Sequence, residues 1–204
     1  MKIDTKTYKI DESNHYKTQN VKNQIILSIS QRKDNYHIVR LKHKDFGKTK
    51  KWNTFTISRN GSVYQHYNPK YHTDFLGIKE VDKHAISIVL ENMGALYKTA
   101  DGKYLNWLNE ICQEKNIVEK KYLGYNFWEN FTKKQIESTA KLCIKLSKEF
   151  NIPLKCIDFQ YYHKDINKFR GIVFKSNYVQ DYFEANPLFD IEKFNEMLQI
   201  FSLK

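Results

Sequence analysis

Seven histidines, at positions 15, 37, 43, 66, 72, 84 and 163, are the side chains of this sequence best suited to holding a metal ion or moving a proton near neutral pH. In "YYHKDI", His163 precedes Asp165 by two residues, a His-x-Asp pattern that supplies two metal ligands once a third donor joins it. Glu184, in "FEANPLFD", is the carboxylate available as that third donor. Ser28 ends a short apolar run, but no Asp, His and Ser stand at the spacing nucleophilic catalysis needs, so a strand-end serine without a catalytic role is the plainer reading. The cysteines Cys112, Cys143 and Cys156 form no C-x-x-C pair. Cys112 and Cys143 fall on the apolar faces of predicted helices, which favours buried thiols in a reducing compartment over disulfides or a zinc knuckle. The sequence has no Walker-type loop, no Rossmann glycine pattern and no internal repeat.

These residues need elements to position them. "NQIILSIS", residues 23–30, reads as a buried strand. "WNTFTISRNGSVYQHYN" reads as a hairpin about Asn60-Gly61, where both residues tolerate positive φ. "HAISIVLENMG" gives a second buried strand closed by Gly94, and "GIVF", residues 171–174, a third. Residues 36–44, "YHIVRLKHK", fit an edge strand or a helix start equally well. Leu105, Leu108, Ile111 and Cys112 stand at helical spacing, and "YLGYNFWENF" reads as an aromatic connector against the body of the domain. Thr132 to Gln135 carries a capping-box signature, with Ile136, Ala140, Cys143, Leu146 and Phe150 forming one apolar face up to Asn151-Ile152-Pro153. Asp190 caps a last helix bearing Phe194, Met197, Leu198 and Phe201. The sum is an α/β fold, a mixed central β-sheet flanked by helices, in a single domain over residues 1–204.

Composition excludes some classes and leaves others open. With 41% hydrophobic and 15% aromatic residues the chain is too apolar for a disordered, charge-dominated segment. The 34 Lys and Arg against 23 Asp and Glu give a formal charge of +11, which favours anionic partners such as nucleic acid, acidic lipid surfaces or anionic wall polymers. The lysines are spread along the chain, which reads as a solvated surface. Without a recognition helix or an aromatic-basic RNA motif, a basic nucleic-acid-binding module ranks last among the functions weighed. The polar start lacks an apolar core and no window reaches about 20 apolar residues. The expectation is therefore no signal peptide and no transmembrane segment, with a protein cytoplasmic as made and, if it acts outside a cell, exported by another route.

Four stretches in order, "ISRNGSVYQHYN", "HAISIVLENMG", "FTKKQIESTAKLC" and "NPLFDIEKF", resemble the zinc amidase family that includes the N-acetylmuramoyl-L-alanine amidases of bacteriophage and the peptidoglycan-recognition proteins. The resemblance covers roughly residues 20–201. It implies a metal site of three protein ligands and a water whose pKa falls to about 7, ready to attack an amide carbonyl. It places those ligands at Ser28, Lys175 and Glu184. A serine hydroxyl is a poor zinc ligand and a lysine carries positive charge into a cation's site, so Glu184 alone keeps a ligand's chemistry. The family's aromatic at the hairpin start corresponds to Asn53, its acidic position in the central strand to Val89, and its basic position before the last ligand to Tyr182. His72 matches a position lining the substrate cleft, and His84 starts the central strand; in bland form both are solvent-satisfied histidines. Trp107, Trp128, Tyr125 and Phe127 can stack on sugar or peptide groups or fill the core, and the core is favoured.

What this implies is an amidase-fold protein that acts on or recognises peptidoglycan or muropeptide without a working zinc site, a pseudoenzyme with no cofactor, or a structural component with a protein partner in a phage-like or secretion-like assembly. Its cleft would be edged by Asn53, His72, His84, Tyr182 and Lys175, with a Lys175–Glu184 ion pair where the metal would sit. The alternative is an active amidase with zinc displaced to His163, Asp165 and Glu184.

Overall fold

The computed structural model describes residues 1–33, 35, 39, 50–179 and 186–203. The histidines at 37 and 43, and Tyr182 and Glu184, lie outside the described residues, as does nearly all of residues 36–44.

Among the described residues the larger sheet has the order β1 (Ile3–Asp4), β4 (Val63–Gln65), β3 (Phe55–Ile57), β5 (Ala85–Leu90), β2 (Gln24–Ile29), β10 (Gly171–Phe174). The strands β3, β5, β2 and β10 run parallel, while β4 is antiparallel to β3, so the sheet is mixed. Every residue of β2, β5 and β10 is buried, which is why these strands read as near-continuous apolar runs. Register assigns the two faces. Ile25, Leu27, Ile29, Ile86, Ile88, Leu90, Phe55 and Ile57 alternate onto one face, and most of them share one core with Ala140, Cys143, Leu146, Phe194 and Leu198 of the helices. Gln24, Ser28, Ser87, Thr54 and Thr56 alternate onto the other, a buried face of unusual polarity.

The β3–β4 turn follows its Asn-Gly signal in a modified form. Gly61 alone takes a left-handed φ, +86°, and its N–H donates to Ser58 while Ser58 N–H donates to Ser62, a three-residue loop in which Asn60 needs no positive φ. A Cβ on Gly61 would come within 2.9 Å of the Lys134 carbonyl oxygen, so the glycine also lets the turn dock on a helix.

Three α-helices are described: α1 (Lys79–His84), α2 (Lys133–Phe150) and α3 (Ile191–Ser202). Thr132 Oγ1 accepts the Gln135 N–H at 3.1 Å and starts α2. The expected reciprocal bond of a capping box is replaced. The Gln135 amide instead donates to the Ile57 and Glu91 carbonyls at 3.2 and 2.8 Å, tying the helix start to the ends of β3 and β5. Asn151 ends α2 in a left-handed conformation, and Asp190 caps α3 by accepting the Lys193 N–H. Among the described residues no helix is long and apolar enough to cross a membrane.

Residues 95–129 differ from their expected helix and connector. They form a second sheet of order β7 (Tyr104–Leu105), β6 (Ala95–Lys98), β9 (Tyr125–Glu129), β8 (Ile117–Tyr122). The helical spacing of Leu105 to Cys112 is overridden by Asn106, whose Oδ1 accepts the N–H groups of Leu108 and Glu110 and so takes donors a helix would use, and by Asn109, held at φ +61°. Cys112 lies on no helix; it is buried between β7 and β8 in one cluster with Met93 and Leu96. "YLGYNFWENF" is the β8–β9 hairpin, turned by Leu123 and Gly124, both left-handed.

Candidate functional site

The candidate site is built on the carboxyl ends of β2, β5 and β10. Ser28 is paired in register with Val89, and Val89 with Thr56. Phe174 is paired with Leu27, so Lys175, the next residue, leaves β10 at the level of Ser28. Ser28 is buried and its Oγ lies 3.3 Å from the Ile29 carbonyl oxygen. Lys175 opens a 3-10 turn, Lys175–Asn177, that the fully buried Asn177 fixes: its Oδ1 accepts the Phe174 N–H at 2.7 Å, and its Nδ2 donates to the Phe159 and Tyr161 carbonyls. Lys175 Nζ stands 5.6 Å from the centre of the Phe75 ring, on the segment after the hairpin.

The closing turn is anchored to the same strand ends. Asn186 Nδ2 donates to Asn92 Oδ1 at 2.9 Å and to the Glu129 carbonyl, and Phe189 packs edge-on against Phe131 and Phe174. A narrow void of about 10 Å³ remains between these rings and the ends of β2 and β5, lined also by Gln160. Glu129 binds the Met93 N–H at 2.6 Å and pairs with Arg59 at 3.1 Å, joining both sheets behind the site.

Two of the three positions that the resemblance gives carry groups of poor zinc-ligand chemistry, and the third, Glu184, lies outside the described residues. A neutral hydroxyl at Ser28 and an ammonium at Lys175, the latter resting on an aromatic face, take the places where the resemblance puts histidines. Among the described residues no group of three His, Cys, Asp or Glu side chains is gathered to hold a metal. At the alternative location His163 is exposed, its Nδ1 accepts the Asp165 N–H at 3.3 Å, and the Asp165 carboxylate is engaged by Lys168 at 2.7 Å. The Lys168 contact holds Asp165 below the usual carboxylate pKa.

The expected cleft residues are not gathered around Lys175. His84 is level with Asn23, whose N–H donates to its carbonyl, five residues before Ser28 and so about 16 Å down the strand at 3.3 Å per residue. Its Nδ1 is 2.7 Å from the Val21 carbonyl oxygen. His72 is buried, stacked on Tyr16, and burial lowers its pKa. Asn53 is buried and turned inward, donating to the Phe55 carbonyl and Thr56 Oγ1 at 2.6 and 2.9 Å. Asn53, His72 and His84 thus stand towards the amino-terminal half of the strands. The reason is strand direction: all three precede or begin a strand that runs towards the site, or follow β4 running away from it.

Sequence reasoning missed two features. Glu91, buried two residues beyond Val89, continues the polar face one pleat closer to the strand ends, and its charge helps burial and Tyr64 raise the Tyr8 pKa. Its signal was the i, i+2 alternation of "VLEN". Lys22 and Asp82 brace the other end. The Lys22 ammonium is buried against the Tyr71, Lys83 and Ala85 carbonyls, and burial lowers its pKa to about 8. Asp82 accepts the N–H groups of Leu76, Gly77 and Ile78, and burial raises its pKa to about 6.

This architecture has known counterparts. The chain is similar to the N-acetylmuramoyl-L-alanine amidase LysC from Clostridium intestinale URNW at 14% identity, with 98% of each chain covered and a TM-score of 0.54. It is similar to the catalytic domain of PlyG at 8% identity, covering 100% of this chain and 96% of that one, TM-score 0.57. It is also similar to the amidase AmiD from E. coli, solved with anhydro-N-acetylmuramic acid-L-Ala-D-gamma-Glu-L-Lys, at 13% identity, covering 89% of this chain and 59% of that one, TM-score 0.55. Comparison with curated protein sequences gives no match. At these identities the likeness is one of fold. A family model described as N-acetylmuramoyl-L-alanine amidase matches residues 14–170, a range that takes in Ser28 and ends before Lys175. With about three quarters of its length matched by that model, the chain belongs to the N-acetylmuramoyl-L-alanine amidase family.

Proposed function

We propose that this protein, as one amidase-like domain over residues 1–204, recognises the peptide portion of peptidoglycan and does so without zinc-dependent hydrolysis. The observation that carries the reading is the placement of Ser28 and Lys175 at one level on the neighbouring strand ends of β2 and β10. Family membership and the fold support peptidoglycan as the ligand class. The substitution of an ammonium for a ligand supports recognition in place of metal chemistry. In AmiD the bound substrate carries an L-Ala-D-gamma-Glu-L-Lys peptide. A peptide of that kind brings carboxylates, and an ammonium such as that of half-buried Lys175 is a side chain whose chemistry can receive one.

The experiment is calorimetric titration of the full chain with L-Ala-D-gamma-Glu-L-Lys, beside metal analysis of protein purified without chelator. Binding in the millimolar range or tighter that is lost in Lys175→Ala, from protein without stoichiometric zinc, supports the reading. About one zinc per chain together with amide cleavage overturns it and returns the protein to the active amidases. An unaltered affinity in Lys175→Ala removes Lys175 from the site.

A further inference from the structure

The second sheet presents aromatic rings to solvent where a core would hide them. Trp107 is 61% exposed and Tyr97 41% exposed. With Tyr125, Met93, Ala95 and Gln31 they line a hollow of about 220 Å³. The neighbouring aromatics of the sheet behave otherwise. Trp128 is fully buried with its Nε1 donating to the Lys120 carbonyl, and Phe127 packs edge-on against Tyr104. Exposed rings grouped around a concavity mark a binding surface more often than a packing remainder.

The backbone that carries Trp107 is braced, and the Tyr97 ring is tethered. Trp107 lies in the turn 106–109, closed by the Asn109 N–H donating to the Asn106 carbonyl. Asn106 is fully buried and braces that turn: its Oδ1 accepts the N–H groups of Leu108 and Glu110, and its Nδ2 donates to the Gln31 carbonyl at 3.0 Å and to Glu110 Oε2 at 2.8 Å. Glu110 in turn pairs with Arg32 at 3.3 Å. The Tyr97 hydroxyl donates to the Asn109 side chain. A shelf whose backbone is fixed in this way loses little freedom when a ligand arrives.

The lining selects the ligand's chemistry. Among the described residues no charged side chain lines the hollow, although the chain as a whole carries +11, so the described lining favours a neutral ligand over a carboxylate or phosphate. Indole and phenol faces match the C–H faces of a pyranose ring, and Gln31 brings an amide able to donate and accept towards ring hydroxyls or an acetamido group. The volume lies below the roughly 300–1,000 Å³ of sites for drug-sized ligands, which suits a single ring and not an extended chain. Gln31 lies two residues beyond β2 and Met93 three beyond β5, so the hollow opens at the strand ends that carry Ser28.

We infer that Trp107 and Tyr97, with Gln31, form a glycan subsite that stacks a neutral N-acetylated hexosamine ring beside the peptide site. The inference rests on peptidoglycan as the ligand class, and it assigns the sugar backbone to a surface separate from Lys175.

The test uses the full chain and a tetramer of N-acetylglucosamine, which has no peptide. Trp52 and Trp128 are buried, so acrylamide quenching of tryptophan fluorescence reports on Trp107. Saturable protection from quenching, and sugar-induced NMR shifts that weaken about tenfold in Tyr97→Ala and Trp107→Ala but persist in Trp107→Phe and Lys175→Ala, are expected. No saturable protection, or sugar shifts that survive Trp107→Ala unchanged, overturns the subsite. Binding of L-Ala-D-gamma-Glu-L-Lys lost in Lys175→Ala with no sugar binding leaves the proposed function standing and this inference fallen. Sugar binding through Trp107 with no peptide binding does the reverse.

Discussion

Asn186 and Asn92, 94 residues apart, are joined by a buried hydrogen bond of 2.9 Å from the Asn186 amide to the Asn92 side-chain oxygen. Asn92 follows β5 and Asn186 opens the closing turn, so this bond holds the turn that leads into α3 against the ends of the parallel strands. Asn92 Nδ2 also donates to the Glu129 and Asn130 carbonyls, which extends the tie to the second sheet. A buried amide left without its partner costs about 1–3 kcal/mol. Asn186→Ala should therefore lower stability by that amount, and Asn92→Ala by at least as much. In a double-mutant cycle by urea unfolding the two losses should be less than additive; full additivity would show that the bond is not made.

Gly171 begins β10 with φ +141°, where a Cβ would meet the Lys155 carbonyl oxygen and come within 2.9 Å of the Phe169 ring. Neither the backbone oxygen nor the packed ring can give way without moving β10 off β2. Gly171→Ala should destabilise the fold by about 2 kcal/mol or more through backbone strain and overpacking, read as a fall in the urea midpoint with Lys175-dependent binding weakened in step.

The brace at the amino-terminal end of the sheet gives stability a pH signature. Asp82 is raised from 3.8 to about 6, so the folded state binds its proton more tightly than the unfolded chain does. Its contribution is full below about pH 4 and is lost as pH rises to about 6, a fall of roughly 3 kcal/mol at most by linkage. Lys22 is lowered from 10.5 to about 8, so the unfolded chain holds the proton more tightly. Stability should rise from pH 8 towards 10.5 as the buried ammonium deprotonates. Lys22→Met should abolish that alkaline rise in urea unfolding midpoints measured across pH, and a rise that persists in the variant would assign it elsewhere.

Much of the fold was legible because it is written in local patterns. The β2, β5 and β10 strands declare themselves as apolar runs because both faces are buried, and α2 and α3 by 3.6-residue spacing with Thr132 and Asp190 as caps. Residues 104–112 misled because apolar spacing is shared by a helix and by a strand followed by a braced turn; the deciding contacts of Asn106 reach Gln31, 75 residues away. The common level of Ser28 and Lys175 was legible, because Ser28 lies within β2 and Lys175 directly follows β10, whose pairing fixes their height. Asn53, His72 and His84 were grouped with them only by analogy. Sequence order along parallel strands places them near the opposite end, and no local pattern states that. Glu91 was hidden one pleat beyond a position already assigned to Val89.

Net charge predicts a weak, salt-sensitive attraction to polyanions. With the lysines spread over the surface, and many paired as in Lys145–Glu149 and Lys193–Asp190, duplex DNA should bind only at low ionic strength and lose affinity steeply with added salt. Binding of L-Ala-D-gamma-Glu-L-Lys through one lysine should change little over the same range. Equal salt slopes for the two ligands would place the peptide on the general surface field and away from Lys175.

The central claim is that Lys175 stands where a metal ligand would and receives the ligand's carboxylate instead. The most direct test is metal content by mass spectrometry on chelator-free protein, joined to peptide titration of the wild type and Lys175→Ala. The account predicts far less than one zinc per chain, no amide cleavage, and peptide binding that disappears with the lysine. Stoichiometric zinc with cleavage, retained in Lys175→Ala, would contradict it.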